Sequence, residues 1–79
     1  MKTIVDALLK KGFIERAKAP SSLFYEIDKV GCTHYFSCHK KYGAYEIEYA
    51  IFLQGIGSRK GYMYKSCREV VKLIESLSV

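Results

Sequence analysis

The chain has 79 residues, of which 13 are lysine or arginine and 8 are aspartate or glutamate, giving a formal net charge of +5. That length supports a single small core, so residues 1–79 are read as one domain and a second domain is excluded. Hydrophobic residues make up 49% of the chain with a single proline, which argues against disorder, and the longest apolar run, Tyr49-Ala50-Ile51-Phe52-Leu53, is far short of the roughly 20 residues that span a bilayer.

Thr3 followed by Asp6 reads as a helix start, with Thr3 as N-cap and Asp6 in the first turn. The helix is predicted from Ile4 to about Lys11. Ile4, Val5, Leu8 and Leu9 form its apolar face, and Gly12 supplies a left-handed cap that folds Phe13 back towards Leu8. Residues 13–19 have no clean period and are read as a short irregular strand, ending in a turn at Ala19-Pro20-Ser21-Ser22.

Leu23 to Lys29 alternates, with Leu23, Tyr25 and Ile27 on one side and Phe24, Glu26 and Asp28 on the other. After a break at Val30-Gly31, Thr33 to Lys41 forms the next strand, and Lys40 to Gly43 is a hairpin turn. Residues 44–54 give the clearest strand: Tyr45, Ile47, Tyr49, Ile51 and Leu53 are expected inside and Ala44, Glu46, Glu48, Ala50 and Phe52 outside. Gly55 to Gly61 then reads as a flexible loop with a basic tip at Arg59 and Lys60. Ser66-Cys67-Arg68-Glu69 is a capping box opening a final helix, whose Val70, Leu73, Ile74 and Leu77 recur at helical spacing. The predicted fold class is α+β: two layers in the order α-β-β-β(-β)-α, an antiparallel sheet with the N- and C-terminal helices on one face.

Cys32-Thr33-His34-Tyr35-Phe36-Ser37-Cys38-His39 holds four potential metal ligands, but a strand at about 3.3 Å per residue separates Cys32 from Cys38 by roughly 20 Å, too far for one zinc ion. No metal and no cofactor are expected. Cys67 opens the final helix beside Lys65 and Arg68, where a thiolate is favoured, yet a nucleophile also needs a base, and only His34 and His39 are available. Gly55-x-Gly57-x-x-x-Gly61 lacks the Gly-Lys-Ser/Thr ending of a P-loop and the last spacing of a dinucleotide fingerprint. No catalytic residue is therefore assigned.

Seven tyrosines and four phenylalanines exceed the needs of one small core. Phe24, Phe52, Tyr35, Tyr42, Tyr62 and Tyr64 fall outside the inward set, and tyrosine both suits protein interfaces and stacks on bases. Together with the cations they define a candidate partner-binding set: Lys40, Lys41, Tyr42, Arg59, Lys60, Tyr62, Tyr64, Lys65 and Arg68. The expected partner is a protein or nucleoprotein complex, with direct RNA or DNA contact as the alternative and a small thiol or acid-base enzyme as the second alternative. A homodimer is one way for so small a chain to gain stability. Three cysteines cannot all pair, and the early charges of Lys2 and Asp6 do not read as a signal peptide, so a reducing cytoplasmic location is expected.

Gly31-Cys32-Thr33-His34 between two strands resembles the Gly-Pro-x-His loop of double-stranded RNA-binding domains, but Cys32 replaces the proline, and Lys65, Arg68 and Lys72 are scattered where that family clusters lysines. The layout is also similar to HicA-type toxins, whose histidine has no counterpart in Ser21-Ser22-Leu23-Phe24-Tyr25. Neither family is assigned. Size, basicity and the lack of catalytic signals are similar in kind to small phage or mobile-element inhibitors such as anti-CRISPR proteins, which act by occluding a partner.

Overall fold

In the structure, a computed structural model that describes all 79 residues, the chain opens with helix α1, Lys2–Lys11. The helix starts two residues earlier than the Thr3 cap implies. Met1 takes the N-cap position without a side-chain bond, its carbonyl accepts from the Val5 amide at 3.0 Å, and its sulfur lies 3.8 Å from Cys38 Sγ in the core. Packing of Met1 thus extends the helix past the residue that local capping favours. The C-terminal end behaves as the sequence predicts: Gly12 sits at φ 107°, and the amides of Phe13 and Gly12 bond to the carbonyls of Leu8 and Leu9 at 2.9 and 3.0 Å.

Five antiparallel strands follow, β1 (Ile14–Ala19), β2 (Ser22–Lys29), β3 (Cys32–Lys41), β4 (Ala44–Leu53) and β5 (Ile56–Tyr64), in the spatial order β1-β2-β3-β4-β5. The irregular segment after Gly12 is a strand with a bulge at Arg16. The larger difference lies in Gly55 to Gly61. The predicted loop shrinks to a two-residue turn, Gln54 and Gly55 at φ 50° and 83°, and Ile56 onwards pairs in unbroken register with β4. The strong alternation of β4 provides a template ladder, and that pairing overrides the low strand propensity of the glycines. Gly57 has a positive reason to lack a side chain: Phe52, its register partner, folds over it, and a Cβ there would lie 2.6 Å from the ring.

Helix α2, Cys67–Ser76, begins at Ser66 as its capping box predicts. The Ser66 hydroxyl accepts from the Glu69 amide at 3.3 Å, while it donates to the Glu69 carboxylate at 3.0 Å, so the return bond of the box reaches the hydroxyl instead of the Ser66 amide. Ile4 and Leu8 of α1 and Val70 and Ile74 of α2 join one cluster with Leu23, Tyr25, Ile27, Phe36, Cys38, Ile47 and Tyr49. The Phe13 and Phe36 rings meet edge to face at 6.0 Å within it. Both helices therefore lie against one face of the sheet, and the fold is the two-layer α+β domain expected. No helix is long and apolar enough to cross a membrane. Only 14 of the 79 residues are buried, so each large core side chain, contributing about 1.5–3 kcal/mol on burial, carries a sizeable share of the stability.

Candidate functional site

Strand alternation that directs the inward set to the helices directs the other set to a face that no element of the chain covers. Register arranges this open face in rows that run across the sheet. Asp28, Thr33, Phe52 and Gly57 form one; Glu26, Tyr35, Ala50 and Arg59 the next; then Phe24, Ser37, Glu48 and Gly61; and last Ser22, His39, Glu46 and Met63. Tyr35 and Phe52 meet edge to face at 5.4 Å, as do Phe24 and His39, whose Nδ1 is 2.7 Å from the Ser22 hydroxyl. Between these aromatic pairs lies a shallow groove of ≈ 410 Å³ floored by Ala50 and walled by Phe24, Tyr35 and Phe52.

An arginine stands at each end of the groove. Arg16, thrown outward by the β1 bulge, lies 5.0 Å above the Tyr35 ring and 3.7 Å from the Glu26 carboxylate; Arg59 lies 3.6 Å from Glu48. These are long, solvated ion pairs, worth less than about 1 kcal/mol each, so either arginine can exchange its carboxylate for one on a partner. The missing side chain at Gly61 leaves low ground on one side of Arg59, while on the other the Phe52 ring covers Gly57.

The predicted binding residues divide between two surfaces. Lys40, Lys41 and Tyr42 occupy the β3–β4 hairpin end, with Tyr42 at φ 51° in the two-residue turn and fully exposed. Lys40 faces the helix side, its Nζ 5.7 Å from the Tyr45 ring, and Tyr45 is the register partner of Tyr64. Lys65 follows Tyr64, and Arg68 stands exposed in the first turn of α2, so the fold gathers these residues at one end of the sheet. Arg59 and Lys60 are adjacent in sequence but point to opposite faces: Arg59 to the groove, Lys60 to the helix side over Tyr62 at 5.7 Å. The single basic tip read from the sequence is thus split by strand geometry. Tyr62 and Tyr64 stack at 6.0 Å on the helix side and are half-buried against the core, which gives both a structural role.

Alternation in the sequence puts Phe24 and Phe52 at the surface, and Tyr35 is expected there as a residue outside the inward set. Sequence reasoning missed Arg16, because a bulge leaves no periodic signal, and it missed the groove, because only register aligns side chains from four strands.

Cys67 has no hydrogen bond to either histidine. His34 is instead buried and bonded at both ring nitrogens, Nδ1 to the Tyr49 hydroxyl at 2.6 Å and Nε2 to Cys32 Sγ at 3.3 Å. Burial, with the nearby Lys29 charge, holds the imidazole below its usual pKa, and burial raises that of Tyr49. Both groups therefore stay neutral at neutral pH, which disfavours a thiolate–imidazolium pair. Cys38 is fully buried, and burial pushes its thiol up to about 11.

Charge is distributed unevenly between the two sides. The open face carries three cations, Arg16, Lys41 and Arg59, against four carboxylates, Glu26, Asp28, Glu46 and Glu48. The other ten cations and four carboxylates of the chain lie on the helices, the helix-side sheet face and the segments between them. A polyanion would be attracted to the helix side and not to the groove. Compared with family models, curated proteins and solved structures, the chain matches none, so its functional reading rests on geometry and charge.

Proposed function

We propose that the protein is a non-enzymatic binding module that docks on a protein or nucleoprotein target, with the open sheet face as its protein-recognition surface. The observation that carries this reading is the aromatic groove on a charge-balanced, uncovered face, backed by a helix side that holds the whole basic excess. Phe24, Tyr35 and Phe52 offer rigid aromatic area with few rotatable bonds, the kind of side chain that dominates protein interfaces. Arg16 and Arg59 supply forked donors for carboxylates at the groove ends. The basic helix side, with Lys40, Lys60, Lys65 and Arg68, would face the nucleic acid of a nucleoprotein target. An inhibitor that occludes nucleic-acid machinery, of the phage or mobile-element type, is one concrete form of this activity.

Direct RNA or DNA binding through the helix side is the second reading, favoured by its excess of ten cations over four carboxylates. Capture from nuclease-treated and untreated host lysates separates the two. Protein recognition predicts a partner that survives nuclease and is lost in a Tyr35→Ser, Phe52→Ser double variant. Direct nucleic-acid binding predicts capture that nuclease abolishes and affinity that falls steeply with salt.

A further inference from the structure

β5 is the last strand of the sheet, and one of its sides has no partner. The opposite edge, β1, spans only six residues, is bulged at Arg16 and runs into Pro20, features that close an edge to further pairing. β5 runs nine residues without a bulge. Its two-residue turn makes Leu53 and Ile56 the first mutually bonded pair, and alternation then turns the amides and carbonyls of Gly57, Arg59, Gly61 and Met63 away from β4. Two of those four residues have no side chain, so another backbone can come close.

We infer that the β5 edge accepts an extended acidic segment of a partner protein as a sixth, antiparallel strand. Arg59 and Lys60 stand at the middle of β5 on opposite faces. A strand laid along the edge sets two consecutive residues opposite them, one on each face, and two consecutive carboxylates satisfy both cations at once. Glu48, the one carboxylate in an ion pair with Arg59, is half-exposed at 3.6 Å and leaves the guanidinium free to take a second acceptor. A second copy of this chain fits worse. Two-fold pairing that keeps the sheet faces aligned opposes a residue to itself, so registers centred on Arg59 or Lys60 bring like charges together. The inference rests on the binding-module reading and adds to it a contact at the edge of the open face.

The test is an amide NMR titration of the full chain with a capped hexapeptide, Thr-Val-Asp-Glu-Val-Thr, and with the same peptide carrying lysine in place of both acidic residues. The acidic peptide is expected to give saturable shifts confined to β5 and its row neighbours, and to slow hydrogen exchange at Gly57, Arg59, Gly61 and Met63. The lysine peptide should bind about tenfold more weakly or worse, and Arg59→Glu with Lys60→Glu should reverse that order. Gly61→Pro removes an outward amide that β4 does not use, so it should leave the free spectrum folded and abolish the shifts. Equal binding of both peptides, shifts centred elsewhere, indifference to Gly61→Pro, or β5 amides already protected by self-association would each overturn the inference. If the edge fails in this way while lysate capture still depends on Tyr35 and Phe52, the edge inference falls alone; loss of both removes the binding-module reading.

Discussion

Gly57→Ala separates the stability of the sheet from the shape of its groove. A Cβ at position 57 would lie 2.6 and 2.9 Å from two ring carbons of Phe52, closer than non-bonded carbons approach, so one group must move. The backbone is held in register by β4, whereas Phe52 is 41% exposed and free to swing towards solvent. Moving the ring breaks its edge-to-face contact with Tyr35, 5.4 Å between centroids, at a cost of about 0.5–1.5 kcal/mol. Replacing glycine by alanine in a strand returns about 0.4–1 kcal/mol by restricting the unfolded chain. The two terms nearly cancel, and the unfolding free energy should change by less than about 1 kcal/mol, a shift of no more than about 4–8 °C in Tm for a domain of this size. The groove, by contrast, loses a wall. Chemical denaturation reports the first quantity, and proton NOEs between the Tyr35 and Phe52 rings report the second. A variant that keeps those NOEs, or that loses more than about 2 kcal/mol, would refute the claim that the Phe52 ring yields and the strand does not.

Three other outcomes follow from the buried polar groups and the helix cap. Burial lowers the His34 pKa below the usual 6.5, so the unfolded state takes up its proton first; the contribution is full above about pH 6.5 and is lost as the pH falls, and a pH series of denaturant melts should show a slope there that His34→Gln removes. Cys38 has the opposite sign: with its thiol raised from 9.0 to about 11, stability should fall between those pH values by on the order of 3 kcal/mol, and a thiol reagent at neutral pH should modify Cys32 and Cys67 while Cys38 reacts only on unfolding. Ser66→Ala deletes the hydroxyl that accepts from the Glu69 amide and should cost about 1 kcal/mol in chemical denaturation, with no effect on the open face.

The parts of the fold that were legible in the sequence are those where a local signal and the tertiary structure agree. Gly12 and Ser66 mark helix ends because their caps are made by residues within one turn. β2 and β4 alternate cleanly because one face is buried, and so Leu23, Tyr25, Ile47 and Tyr49 are recognisable as core. Thr3 misled because Met1 is anchored by Cys38, 37 residues away in sequence. The three glycines after Leu53 misled more seriously, since glycine-rich composition reads as loop unless the partner strand is known. That partner converts a mobile basic tip into a fixed edge strand and sends Arg59 and Lys60 to opposite faces. Phe24 and Phe52 were visible singly, as outward residues of alternating strands, and Tyr35 only as an aromatic outside the inward set, whereas their convergence with Arg16 and Arg59 depends on register across five strands.

Isothermal titration of the purified partner against two variants tests the role of the open face most directly. One variant, Tyr35→Ser with Phe52→Ser, strips the groove; the other, Lys65→Glu with Arg68→Glu, reverses charge on the helix side at the start of α2. Recognition through the groove predicts at least a tenfold loss of affinity for the first and a smaller, salt-dependent loss for the second. Full affinity in the groove variant, with binding abolished by the helix-side charge reversal, would contradict it.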